Sequence, residues 1–252
     1  ADHLKSKHQN VEVAGIKGFA DENFIDENNG EIFKIAKAGH ILDFFRNREV
    51  RNIVFIGTVK KPDFKSLIPD KEGAFLLNRL LKLKKTGDNK IFAEVIKFLD
   101  EKGFTLTGID DIFNDLLASK GNISGKKPSK TQLNDINHGF EIAKQIGELD
   151  IGQAVAVQDG VILAVEGIEG TDEMITRSAK LQFQSGGAIL VKAKKPNQDP
   201  RIDLPTIGLK TVESCAAAGF SGIAVEAGNS LIVEKDKVVE KAKESGIFIY
   251  GI

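Results

Sequence analysis

The residues best suited to chemistry lie in DPRIDLPTIG, residues 199–208. Arg201 and Asp203 alternate around an isoleucine, so in extended backbone both side chains project to one face. The two prolines bias the residues before them towards extended geometry, and a stiff backbone holds a reactive group accurately. A carboxylate here would bind Mg²⁺ or orient a water molecule, and the cation would offset phosphate charge. An arginine–aspartate pair that only pins the loop is an equally good explanation.

Lysines crowd just upstream, at the end of the predicted strand ILVKAKKP. Lys192, Lys194 and Lys195 add their positive charges to that of Arg201 within a short segment. Such a group of cations can offset the negative charge of a phosphate ester or a diphosphate.

Acidic residues surround a predicted helix start in EGIEGTDEM, residues 166–174. An exposed helix N-terminus binds anions, so Thr171 and the neighbouring amides are candidates to hold a phosphate. Asp172 is a candidate Mg²⁺ ligand, because Mg²⁺ keeps several waters and takes few protein carboxylates. In the alternative interpretation, Thr171 or Asp172 caps the helix and the acids complement its dipole.

The third candidate segment is GTVKKPDF, residues 57–64, which follows the apolar strand pattern NIVFIG. Ligands in open α/β sheets bind beyond the carboxyl ends of the strands. Gly57 would let the backbone approach a ligand, Lys61 would offset phosphate charge, and Asp63 would serve as an oxygen ligand or a base. A solvated loop with a Pro-Asp turn is the simpler alternative, since short motifs have high false-positive rates.

All three segments combine cations with carboxylates, which suits the hydrolysis of a phosphate ester or diphosphate. Other functional classes find little support in the sequence. A G-x-S-x-G elbow and a Walker A loop are both absent, and the four histidines show no zinc spacing. The net charge of −1 argues against a nucleic-acid partner. Cys215, the single cysteine, excludes an internal disulfide and is predicted to be a buried, inert thiol.

The composition is that of a globular protein with a sizeable core, because 41% of the 252 residues are hydrophobic and 28% are charged. No apolar run approaches the roughly 20 residues that cross a membrane. A signal peptide is not recognised, so the cytoplasm is the expected location.

Strand and helix patterns alternate along the chain and predict two mixed α/β domains. In the first, residues 1–125, the segments EIFKIAKA, GHILDFFRNREV and NIVFIG predict a parallel βαβ unit and hence a Rossmann-like layer. The second, residues 131–252, starts with the helix TQLNDINHGFEIAKQIGEL and continues with a hairpin that turns at Gln158-Asp159-Gly160. Glycine, serine, proline and lysine predict a linker over residues 121–130.

Long segments of the chain resemble a known family. LDIGQAVAVQDGVILAVEGIEGTDEMI and KAKKPNQDPRIDLPTIGLKTVESCAAAGFSGIAVEAGNSLIVE are similar to the C-terminal domain of LpxI-type UDP-2,3-diacylglucosamine diphosphatases. GTVKKPDF, KKTGDN and EKGF resemble the N-terminal domain of the same family.

The resemblance implies a lipid A pathway enzyme of Gram-negative bacteria. Such an enzyme cleaves the diphosphate of UDP-2,3-diacylglucosamine with water, giving UMP and 2,3-diacylglucosamine 1-phosphate (lipid X). It also implies a divalent ion, usually Mg²⁺, a homodimer, and a lipid held in a cleft between the two domains.

The family's essential aspartate falls at Asp203 in this sequence, which makes Asp203 the first catalytic candidate and, with Asp172, a predicted metal ligand. The same matching places Thr171 and Asp172 near the substrate phosphate or sugar. Arg201 and either Lys194 or Lys195 are then expected to offset the diphosphate charge in the transition state.

The family pattern opens with a strand and a glycine-rich turn of the type I-A-G-G-G-x-L-P. Here the sequence opens on the helix that follows that turn, so we expect the chain to start after its first strand. Because such turns cradle phosphates and nucleotides, the alternative function is a non-catalytic protein that binds a nucleotide-sugar or a lipid.

The helix GAFLLNRLLKLKK allows two interpretations. Its leucines can line an acyl groove while its lysines contact lipid headgroups, which would give peripheral contact with the inner membrane. A core-facing amphipathic helix with a solvated basic face explains the pattern equally well.

Overall fold

The computed structural model of the chain describes residues 10–57, 63, 66–83, 88–184, 186–196, 199, 201 and 204–252. The chain divides into two compact units, Ala1–Ile112 and Phe113–Ile252.

The first unit contains two pairs of parallel strands. The first pair is β1 (Ala14–Ile16) with β2 (Glu31–Phe33), and the second is β3 (Asn52–Ile53) with β4 (Thr105–Leu106). The helices of this unit are α1 (Glu22–Glu27), α2 (Ala38–Arg46), α3 (Lys71–Leu81), α4 (Asp88–Glu101) and α5 (Ile109–Ile112). Helix α1 connects the first pair of strands, and the second pair is connected through α3 and α4.

This pairing differs from the predicted βαβ unit. The strand β2 pairs with β1, and β3 pairs with β4, so EIFKIAKA and NIVFIG are not hydrogen-bonded neighbours among the described residues. Only Asn52 and Ile53 of the apolar run pair, and Ile56 is 66% exposed. A single Rossmann-like layer therefore stays a prediction, because an apolar run does not reveal with which strand it pairs in a sheet.

Phenylalanines form much of the core of the first unit. Phe33, Phe44, Phe45 and Phe104 are buried and meet edge to face, with ring centroids 5.2 to 6.3 Å apart. Such aromatic pairs add stabilisation beyond the area that they bury. The leucines of α3 are half-buried, as in an amphipathic helix that packs one face on a core.

The second unit is built on one six-stranded sheet. In order across the sheet its strands are β5 (Gly121–Ser124), β12 (Phe248–Gly251), β10 (Gly222–Val225), β8 (Ile189–Lys192), β6 (Ala154–Gln158) and β7 (Val161–Val165). The strands β8, β10 and β12 are parallel, whereas β5, β6 and β7 pair antiparallel with their neighbours. A separate parallel pair is formed by β9 (Thr206–Ile207) and β11 (Leu231–Ile232).

Helices cover both faces of this sheet. On one face α6 (Lys130–Glu148) packs through Ile136 and Ala143 against Val157 and Val191. The other face packs against the helices α7 (Thr171–Ser178), α8 (Leu209–Ala217) and α9 (Lys235–Glu244). Every residue of β6, β8 and β10 is buried, as expected for strands that are covered on both sides.

The linker predicted over residues 121–130 is wrong for its first four residues. Gly121–Ser124 is the edge strand β5, which pairs antiparallel with β12. Its glycine, asparagine and serine gave no strand signal, because only Ser124 of this strand is buried. The chain instead divides after Ile112, where α5 ends and a short 3₁₀ turn follows.

The predicted hairpin is confirmed. Asp159 and Gly160 have φ angles of 50° and 78°, as a two-residue type I′ turn requires. Their backbone N–H groups donate to the buried carboxylate of Asp135 on α6, at 3.0 and 2.7 Å.

Within the described part of the chain, none of the helices has the length and apolar character needed to span a bilayer.

Candidate active site

Four of the predicted residues of the second unit follow strands that end at one edge of the six-stranded sheet. The strands β8, β10 and β12 end at this edge because they are parallel, and β7 ends there too because it runs antiparallel to β6. Thr171 and Asp172 follow β7, and Lys194 and Lys195 follow β8. Ligands of open α/β sheets bind beyond the carboxyl ends of strands, so this edge is the candidate active site.

Thr171 is held by a buried carboxylate. Its Oγ1 donates to Glu166 Oε1 at 2.7 Å, and the backbone N–H of Gln153 donates to Glu166 Oε2 at 2.8 Å. Glu166 is 7% exposed. Because Thr171 gives its only proton to Glu166, its hydroxyl offers lone pairs rather than a donor to a ligand.

The predicted cap of α7 is wrong. Gly170 occupies the cap position with a φ of 83°, and no side chain there accepts from the first turn. Thr171 is instead the first helical residue, and its hydroxyl is bonded to Glu166. The helix start is therefore set by a glycine conformation that most other residues adopt only with strain.

Asp172 lies at the same helix start and is accessible. Its Oδ2 lies 2.6 Å from Lys210 Nζ, with 49% of the Asp172 side chain and 80% of the Lys210 side chain exposed. The hydrogen bond that Lys210 donates to Asp172 raises the pKa of Lys210. An ion pair this exposed to solvent is weak, so the carboxylate stays available to a ligand.

The backbone of Lys194 is clamped by a carboxylate and an amine. Lys194 N donates to Glu226 Oε2 at 2.8 Å, and Lys144 Nζ donates to Lys194 O at 2.9 Å. Lys144 Nζ also pairs with Glu226 Oε2 at 2.7 Å. This network joins α6 to the segments that follow β8 and β10, and it fixes the point from which the Lys194 side chain extends.

The side chain of Lys195 is held in an ion pair with Asp150. Its Nζ lies 2.8 Å from Asp150 Oδ1, and the two side chains are only 18% and 24% exposed. A partly buried carboxylate thus already neutralises Lys195, which makes Lys194 the better candidate to face a diphosphate.

Arg201 forms a chelated ion pair with Asp199. Its Nε and Nη2 donate to the carboxylate at 3.0 and 2.7 Å, and its backbone N–H donates to Asp199 Oδ1 at 3.0 Å. The Arg201 hydrogen bond, helped by the charge of Lys194, lowers the pKa of Asp199. An arginine–aspartate pair that pins the loop is therefore present, and Asp199 is its acidic member.

Two of the other predicted residues lie outside the described residues, and two lie in the first unit. Asp203, the first catalytic candidate, and Lys61 lie outside the described residues. Gly57 and Asp63 belong to the first unit. Gly57 has a φ of 99°, and the Asp63 carbonyl accepts from Ser66 N at 3.1 Å.

The described residues hold no group of three histidine, cysteine or acidic side chains near enough to one another to ligate a metal ion. Mg²⁺ needs no such group, because it is commonly held by one or two carboxylates, waters and substrate phosphates. The exposed carboxylate of Asp172 fits that donor set.

Sequence reasoning missed Glu166 and Glu226 and did not separate Lys192 from its neighbours. All three stand at the carboxyl end of an apolar strand, where a polar residue directly follows or ends the run. A polar residue at the carboxyl end of an apolar strand was thus the signal by which these residues could have been found. The burial of Lys192, which is 6% exposed, was not predictable from its type.

Comparison with known proteins covers both units. The model of the LpxI N-terminal domain matches residues 1–116, and that of the LpxI C-terminal domain matches residues 119–250. The chain is 33% identical over 258 aligned positions to the UDP-2,3-diacylglucosamine pyrophosphatase LpxI of Caulobacter vibrioides, in an alignment covering 100% of this chain and 92% of that protein. The chain belongs to the LpxI family.

Proposed function

We propose that this chain hydrolyses the diphosphate of UDP-2,3-diacylglucosamine to UMP and 2,3-diacylglucosamine 1-phosphate, a step of lipid A biosynthesis. The observation that carries the proposal is the 33% identity, along the whole chain, to a protein named for that pyrophosphatase activity. The arrangement of cations and acidic residues at one edge of the second unit supports it.

In the proposed reaction the diphosphate lies at this edge, where Lys194 and Arg201 offset its charge. Water adds to one phosphorus, and the bond from that phosphorus to the bridging oxygen breaks. Asp203 orients the water and accepts its proton, and the other phosphate leaves. The two hydrogen bonds to Asp199 already hold the Arg201 guanidinium in place, so this side chain does not have to be ordered when the substrate binds.

Asp172 and Asp203 are the residues that would hold Mg²⁺. When bound, the ion would neutralise charge that develops on the phosphate oxygens. The lone pairs of Thr171 would be free to accept from a water or a sugar hydroxyl at the same place.

Other features of the family remain part of the proposal. We place Gly57, Lys61 and Asp63 near the substrate, the lipid in a cleft between the domains, and the enzyme in the cytoplasm as a homodimer. Peripheral contact with the inner membrane would follow from the acyl chains of the substrate, and the half-buried leucines of α3 give this no particular support.

The direct test is the release of UMP from UDP-2,3-diacylglucosamine by the purified chain, with Mg²⁺ and with EDTA. Release that EDTA abolishes is the expected result. A folded chain that binds lipid X but releases no UMP would instead be a non-catalytic lipid-binding protein.

A further inference from the structure

Lys192 is a buried lysine beside the candidate active site. It is the last residue of β8, flanked by Val225 of β10 and Ala154 of β6, and it is 6% exposed. Leu190, two residues earlier, packs in the core beneath α7 and α8. Because alternate strand residues share a face, Lys192 points to that same side. Lysines are almost never buried unless their ammonium has partners.

One partner of Lys192 lies in the segment that follows Asp203. Lys192 Nζ donates to the backbone carbonyl of Thr206 at 3.1 Å. The charge of Lys192 also acts on the thiol of Cys215 in α8, as does that of Asp172. The ammonium therefore lies among β8, α8 and the backbone at Thr206 in the second half of the motif.

Every carbonyl from Leu204 to Ile207 has a donor. Leu204 O accepts from the Thr206 hydroxyl at 2.9 Å, and Leu231 N and Val233 N donate to Pro205 O and Ile207 O at 2.8 and 3.0 Å. The last two bonds belong to the pairing of β9 with β11.

The remaining carbonyl, that of Thr206, is the one held by Lys192. It points away from β11, because the carbonyls of its neighbours face β11 and successive carbonyls of a strand alternate in direction. The ammonium donates to this carbonyl in the way that the N–H group of a third strand would in a larger sheet. Lys192 thus ties the motif to the central strand of the large sheet.

We propose that Lys192 is a positioning residue for the hydrolysis. By fixing Thr206, three positions after Asp203, the ammonium holds the aspartate at the geometry that the reaction requires. The inference rests on the proposed function. A displacement of about 1 Å in a reactive group can cost about 100-fold in rate, so a lost anchor at this distance is expected to be costly.

The test compares Lys192→Met with Lys192→Arg. Methionine keeps the length of the side chain but loses the donor, whereas arginine keeps a charged donor. We expect Lys192→Met to lower kcat for UMP release about 100-fold while KM and the affinity for lipid X change little. Lys192→Arg should restore most of the rate.

A second readout does not depend on activity. Amide hydrogen exchange of peptides that contain residues 204–208 should be faster in Lys192→Met than in the wild type, with exchange in β6 and β10 unchanged. If the wild-type chain releases no UMP, the proposed function fails, and the exchange result still decides whether Lys192 holds the motif.

Asp135→Asn is the matched control, because it lowers the stability of the second unit at the turn between β6 and β7, which lies at the end of the sheet away from the candidate active site. It should lower the melting temperature and leave kcat per folded molecule unchanged. A Lys192→Met protein that behaves in the same way, with unaltered exchange at residues 204–208, would overturn the inference. If Lys192→Met does not fold, Lys192→Gln carries the same measurements. Failure of both to fold would make the ammonium a requirement of the fold and would also overturn its positioning role.

Discussion

At the scale of single residues, Thr171 shows how a neighbour decides what a side chain can do. The sequence correctly placed this threonine at a helix start beside a strand end, and it suggested a phosphate ligand or a cap. Its hydroxyl donates to the buried Glu166, and Gly170 rather than Thr171 holds the cap position, so the cap is wrong and the phosphate ligand stays a prediction. The bond joins a residue that follows β7 to the first residue of α7, a contact that spacing alone does not determine.

Replacement of Thr171 tests this arrangement. Thr171→Ser keeps the hydroxyl and should retain most of the turnover. Thr171→Val removes it and leaves the buried Glu166 short of a donor, so we expect about 1–3 kcal/mol of destabilisation and a clear loss of UMP release. Thermal unfolding and kcat separate the two effects. Equal activity in both variants would show that the hydroxyl has no role in the reaction.

Cys215 gives a prediction about pH. Burial, the largest cause, raises the pKa of its thiol to about 12 from an ordinary value of 9.0. The native protein should therefore not react with a thiol reagent at pH 8, and reaction should appear on unfolding. Because the raised pKa favours the protonated form, the stabilisation it reflects is full below pH 9 and is lost as the pH rises towards 12. Rapid labelling of the native protein at pH 8 would contradict the described burial.

At the scale of elements, the buried strands of the second unit were predictable, whereas the pairing of the strands in the first unit was not. The strands β6, β8 and β10 are apolar throughout because both of their faces are covered. The strands of the first unit are two or three residues long, so their pairing is set by tertiary contacts that periodicity does not record. The edge strand β5 was missed because it has almost no buried face.

The link from α6 to the β6–β7 hairpin is expected to be a large contributor to stability. Asp135 is 5% exposed and accepts the two N–H groups of the turn, at 3.0 and 2.7 Å. Asp135→Ala would leave both donors buried without a partner, at a cost of about 1–3 kcal/mol for each such group. Urea unfolding of Asp135→Ala and Asp135→Asn measures this. A loss within about 0.5 kcal/mol, typical of a surface substitution, would contradict the importance of the link.

In the first unit, Asp70 joins two helix starts. Its carboxylate accepts from Gly73 N in α3 at 2.7 Å and from Gly39 N and His40 N in α2 at 3.2 Å each. Burial alone would raise the pKa of Asp70, but the three backbone donors outweigh it and the pKa is lowered from 3.8.

Asp70→Asn is expected to destabilise the first unit by about 1 kcal/mol at pH 7. Because the pKa of the folded state is lowered, the stabilisation is full above pH 3.8 and is lost as the pH falls through the lowered value. The difference in the free energy of unfolding between the variant and the wild type, measured with urea, should therefore disappear under acid conditions. A difference that persists at low pH would mean that the carboxylate charge is not what stabilises the two helix starts.

At the scale of the whole molecule, sequence reasoning found the family, the mixed α/β class and four residues that follow strands ending at the same edge of the sheet. What it could not supply were the partners of those residues, such as Asp199 for Arg201, Asp150 for Lys195 and Glu226 for Lys194. The contacts of Lys195 with Asp150 and of the Lys194 backbone with Glu226 depend on how strands are ordered in the sheet, whereas Arg201 and Asp199 are only two positions apart. The residues that orient the site are therefore known only from the folded chain.

The central claim is that the carboxylate of the RIDLPTIG motif drives diphosphate hydrolysis at this edge. Its most direct test is kcat for UMP release by Asp203→Asn, measured beside Asp199→Asn, which changes another carboxylate of the same loop. We predict that Asp203→Asn lowers kcat by about 10³-fold or more with lipid X binding retained, and that Asp199→Asn costs far less. Near-normal turnover by a folded Asp203→Asn protein would contradict the account.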